Sequence, residues 1–106
     1  MEEPNLSFIT KLSNGDKAFE EKIFGVINKE FPGEKEKYFL SIKSKNYKKA
    51  AEDVHKLKHK ISILGLQKSY DLAEKYEDNL KNTSEVFREE FESILKNITK
   101  YLQENH

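Results

Sequence analysis

The stretch VHKLKHKISILGL, residues 54–66, decides the fold. Successive residues of a helix turn by about 100°, and on that wheel Val54, Leu57, Ile61 and Leu64 fall in one arc with Ala50, one turn upstream. An arc of this kind belongs to a helix with one face in an apolar core. His55 lies outside it, on a face shared with Ala51, Lys58, His59 and Ser62. Asn46 supplies an opening cap, and Gly65 suits a chain reversal or a close backbone approach, so this helix is expected to run from Asn46 to about Leu64.

Working outward, residues 67–81 predict a further helix with Ala73, Tyr76 and Leu80 facing inward. KNTS (81–84) breaks it. Asn82 and Glu85 stand at capping-box spacing, and a last helix over about 84–104 would present Phe87, Phe91, Ile94, Ile98 and Leu102. Upstream, Phe19, Ile23, Ile27, Phe31, Tyr38 and Ile42 mark one stripe, with Asp16 as its N-cap. Pro32, in FPGEK (31–35), removes one helical hydrogen bond and crowds the preceding turn. Because the apolar phase survives across it, the spacing predicts a kink within one long helix rather than a division into two. Leu6, Ile9 and Leu12 outline a short helix over 5–12, ended by SNG (13–15). Nothing alternates with period two. The prediction is a single all-α domain over 1–106, an antiparallel up-down four-helix bundle with a short extra N-terminal helix.

Composition narrows the function classes. The 106 residues carry 19 basic and 19 acidic side chains, so no bulk charge calls for nucleic acid or a membrane surface. There is no cysteine, which removes disulfides, thiol catalysis and thiolate metal sites. No apolar run approaches a membrane span, and the opening MEEPNLSF is acidic, unlike a secretory signal. The expected location is the cytoplasm, and nothing visible demands more than a monomer. Charge is nevertheless uneven: residues 43–60 hold seven lysines against two acids.

An imidazole on an open helix face, with Lys58 one turn on and the small Ala51 and Ser62 nearby, fits one kind of chemistry well. A lone serine would need a base and an oxyanion hole, and neither is visible. Imidazole is a competent nucleophile near neutral pH without either. It can accept a phosphoryl group and, through a labile phosphoramidate, pass it on. Phosphoryl transfer asks the protein mainly for positioning and charge stabilisation.

The run His55-Lys56-Leu57-Lys58, with Gly65 ten residues after the histidine, resembles the signature of histidine-containing phosphotransfer (HPt) domains of two-component phosphorelays. LSFITKLSNGDKAFEEKIF (6–24) is similar to that family's opening, a short helix and a glycine-aspartate turn before a long helix. The resemblance implies a four-helix bundle that shuttles phosphoryl groups between receiver-domain aspartates, with no kinase activity of its own. It implies His55 as phosphoacceptor and Lys58 as the residue that offsets phosphoryl charge. Glu77, by spacing, is the candidate to orient the imidazole from the following helix. Ala51, His59 and Ser62 would meet the partner, and Gly65 would make the structural turn. The implied partners are the receiver domains of a hybrid histidine kinase and of a response regulator. Mg²⁺ is expected on the receiver only, so the chain itself needs no cofactor. His59 departs from the family pattern, which usually keeps glycine one turn after the acceptor so that a receiver can approach. It would narrow the choice of partner.

Three rival readings follow from the same residues. His55 and His59 have the i, i+4 spacing of a two-histidine metal site, with Glu52 one turn before. The motif reads HKLKH, however, and its lysines repel a cation, so no metal is expected. A helical interaction module without chemistry, a degenerate HPt domain, would leave partner binding indifferent to His55→Gln. Nucleic-acid binding lacks an aromatic platform beside the basic segment.

Overall fold

The computed structural model describes residues 2–105, which form five helices with no strand among them. They are α1 (Ser7–Ser13), α2 (Lys17–Lys43), α3 (Tyr47–Ile63), α4 (Gln67–Lys81) and α5 (Arg88–Glu104). Two of the caps read from the sequence are in place. The Asp16 carboxylate accepts from the backbone N–H of Ala18 and Phe19 at 3.0 and 3.2 Å, and the Asn46 side chain accepts from Lys49 N at 3.2 Å. Each satisfies N–H groups that the first helical turn leaves without partners. Pro32 lies inside α2, which continues through it to Lys43.

The end of α4 departs from the sequence expectation. α5 begins at Arg88, not near 84, and Phe87 precedes it in the left-handed region (φ 79°). Asn82 and Glu85 form no capping box. Glu85 is drawn away instead by Lys45, Tyr47 and Arg88, at 2.8, 2.6 and 3.0 Å. Those three bonds hold its carboxyl at about 2, well below the ordinary range. They also tie the α4–α5 connection to the α2–α3 turn.

α2 packs on α3, α3 on α4, and α5 against both α4 and α2, while α1 lies on α2. Ser41 bonds Asp53, whereas Glu34 and Glu30 reach Lys60, so α3 returns alongside α2. The predicted α3 arc (Ala50, Val54, Leu57, Ile61, Leu64) is wholly buried, together with Ile27, Phe31, Ile42, Phe91 and Ile98. Phe19 and Leu12, placed on apolar stripes by spacing alone, are 41% and 55% exposed.

Gly65 ends α3 with φ 78°. A side chain is strained in that conformation, and a Cβ would also sit 2.7 Å from the Asn5 amide. The approaching group is thus the N-terminal segment, which docks on this turn through Asn5 N donating to Leu64 O at 2.9 Å. The same segment completes α4, whose own N-cap residue, Leu66, offers no side-chain bond. The Glu2 carboxylate accepts from Lys68 N and Ser69 N, both at 2.9 Å.

Candidate functional site

α3 and α4 lie side by side, and their facing flanks bring together three of the residues singled out in the sequence. Glu77 is buried at 6% exposure. Its carboxylate lies 3.2 Å from His55 Nδ1, 3.0 Å from Lys58 Nζ and 3.4 Å from Lys81 Nζ. Desolvation pushes the Glu77 carboxyl up, but the bond and charge of Lys58, then Lys81 and His55, outweigh it and hold the group below the ordinary carboxylate range. An ionised carboxylate can only accept, so the bond to His55 is Nδ1–H donating to Glu77. That fixes the neutral tautomer with the lone pair on Nε2. The His55 side chain is 53% exposed, and its ring stands on a helix whose opposite face is locked in the core.

Lys58 is not where the helical wheel alone put it. It was expected on an open face beside His55, and it is 7% exposed. Its ammonium turns towards α4, to Glu77 at 3.0 Å and Glu74 at 3.9 Å, and lies 5.4 Å from the Tyr70 ring centre. Burial lowers its pKa while the Glu77 bond and charge raise it, and the net direction is up. Lys58 is therefore a protonated group already neutralised by a neighbour. Its long apolar stem can lie along the helix contact while the charged end finds a partner across it.

The other predicted surface residues divide. His59 and Ser62 are exposed. His59 stands edge-on to His55, with ring centres 5.0 Å apart at 88°. Ala51 is 2% exposed, because it falls on the flank that meets α4. It floors an open groove of about 770 Å³ beside His55, lined also by Tyr47, Leu80, Lys56 and Lys81. Gly65 lies at the far end of α3 and takes no part in the site. Among the described residues no group of three or more imidazole or carboxylate side chains converges to hold a metal.

Sequence reasoning missed Lys81, although its position four residues after Glu77 is the spacing of a helical ion pair. It also missed the groove, for which no local pattern exists. In comparison with known proteins, no family model, curated protein or solved structure matches the chain. Among the described residues no helix is long and apolar enough to cross a membrane.

Proposed function

We propose that the protein is a phosphorelay intermediate, an HPt-like domain whose His55 reversibly carries a phosphoryl group between receiver-domain aspartates. On this reading α2–α5 form an antiparallel up-down four-helix bundle, α1 is the additional short helix, and the protein works in the cytoplasm without kinase activity of its own. One observation carries the proposal: an exposed imidazole on a rigid helix has its Nδ1 proton directed at a buried, ionised carboxylate, which leaves Nε2 as the nucleophile.

In the transfer complex the Nε2 lone pair attacks the phosphorus of a receiver's aspartyl phosphate. The Nε2–P bond forms as the P–O bond breaks, and the aspartate carboxylate leaves with the electron pair. The ring becomes a phospho-imidazolium whose positive charge faces Glu77. A second receiver's aspartate then attacks phosphorus, and the pair returns to Nε2. Mg²⁺ belongs to the receiver. Glu77 acts by orienting the ring and offsetting its transient charge. Lys58 supports that function by holding Glu77 ionised. The lysines around His55 would steer the protein towards an acidic receiver pocket.

The test is transfer from a phosphorylated receiver to wild type and to His55→Gln, read by intact mass. Acid-labile phosphate on wild type alone is the expected result. If no receiver charges a folded wild-type protein, the relay is refuted and a helical interaction module takes its place.

A further inference from the structure

With Lys58 committed to Glu77, the cation that sequence spacing offered to the phosphoryl group is engaged elsewhere. We infer that His59 takes that part: it is the hydrogen-bond donor that binds the phosphoryl group on His55. The inference rests on the proposed role of His55.

The geometry is local. His55 and His59 occupy successive turns of α3, and both rings stand outside the core. Their centres are 5.0 Å apart and nearly perpendicular, so one ring presents its edge to the other. Nδ1 of His55 is held by Glu77, so a phosphoryl group can attach only at Nε2. Its oxygens then lie within reach of a ring one helical turn away. Neutral imidazole offers one N–H and imidazolium offers two, so His59 can donate in either state.

A donor at this place has a definite effect. Hydrolysis of a phosphoramidate passes through a loose, metaphosphate-like transition state. Water bonds to phosphorus, the Nε2–P bond breaks with its pair returning to the ring, and inorganic phosphate leaves. The non-bridging oxygens carry more charge before this step than during it. A donor to those oxygens therefore stabilises phospho-His55 more than its transition state, and lengthens its life. The bulky ring would otherwise only obstruct; on this view it also holds the carried group.

The charged groups around the pair are Lys48, Glu52, Lys56 and Lys58 on α3 and Glu74, Glu77 and Lys81 on α4. Lys60, next to His59 in sequence, turns to Glu30 and Glu34 on α2. All of these are common to the charged and uncharged protein. A change in His59 on charging therefore reports the phosphoryl group.

The experiment charges the full chain with phosphoramidate, from which Nε2 displaces ammonia. The site of phosphate is mapped by mass spectrometry, His59 is titrated by NMR with and without phosphate on His55, and the decay of phospho-His55 is timed. Charging adds two negative charges on the phosphoryl oxygens and one positive charge on the ring, and this net negative charge should move the His59 midpoint upward by about 0.3–0.6 pH unit. His59→Ala should shorten the life of phospho-His55 about three- to tenfold. His59→Gln, which keeps an N–H donor, should restore part of it. If His55 is charged but neither the midpoint nor the lifetime changes, the role of His59 is refuted and the acceptor role of His55 stands. If phosphate never appears on His55, both fail.

Discussion

Two neighbouring residues of α4, Tyr76 and Glu77, bury polar groups against different helices, α2 and α3, and only one of them leaves a reactive end outside. Tyr76 is wholly buried, and its hydroxyl meets that of Tyr38 at 2.7 Å. Tyr38 also donates to Glu92 at 2.9 Å, and Glu92 accepts from Arg88 at 2.8 Å. Burial with these bonds drives the Tyr38 hydroxyl well above the ordinary phenol range, and burial pushes Tyr76 up to about 12 although its bond to Tyr38 pulls the other way. Every group in that set is paired with another side chain, even Arg88 and Glu92 at its outer end, which are 35% and 26% exposed, and this makes it a device for joining α2, α4 and α5. Glu77 is buried too, but one of its three partners is a ring that is more than half exposed. Buried polar groups require partners in either case. A network closed on itself specifies packing, whereas one that ends on an exposed imidazole delivers the effect of a buried charge to the surface.

Mutations can break this contrast. The largest expected effect is on the open side. His55→Gln should remove all acid-labile phosphate while the melting temperature, followed by circular dichroism, stays close to wild type, because the ring contributes little to the core. A large loss of stability would place His55 with Tyr76 as a packing residue. Next, Glu77→Ala leaves the ammonium of the buried Lys58 without its nearest partner. It should cost about 1.5–3 kcal/mol in urea unfolding and slow phosphoryl acceptance as well. Loss of stability with acceptance unchanged would reduce Glu77 to a structural anchor.

On the closed side, Tyr38→Phe removes one hydroxyl from a satisfied set. The expected cost is about 1 kcal/mol, with phosphoryl acceptance untouched. A change in acceptance would couple the two networks. The smallest effect belongs to Glu85, at the rim of the closed side. Its carboxyl is depressed from 4.5 to about 2, so its contribution to stability is complete above about pH 4.5 and disappears as the pH falls to about 2. Glu85→Gln should flatten the acid limb of stability in that window, measured as denaturation midpoint against pH. An acid limb identical to that of wild type would show that the bonds to Lys45, Tyr47 and Arg88 contribute nothing to folding.

Legibility from sequence followed the range of the interaction. The α3 arc, the Asp16 and Asn46 caps and the continuation of α2 through Pro32 were readable because each depends on residues within a turn or two. The start of α5 was misread for the complementary reason. Asn82 and Glu85 have the spacing of a cap, but Glu85 finds stronger partners in Lys45 and Tyr47, some 40 residues away.

At the site, the helical period alone determined that His55 stands off the apolar face of α3, and the spacing of residues 74–81 already contained the Glu77–Lys81 pair. Which way Lys58 turns was decided by tertiary structure. At the edge of an arc, a long side chain becomes buried or exposed according to whether another helix brings it a counter-charge, and α4 brings Glu77. The same contact chooses the proton-bearing nitrogen of His55. Gly65 needs its small size because Asn5, sixty residues earlier, lies against it. Periodicity describes the faces of one helix, but the charge and tautomer of a side chain on the boundary depend on the helix that packs beside it.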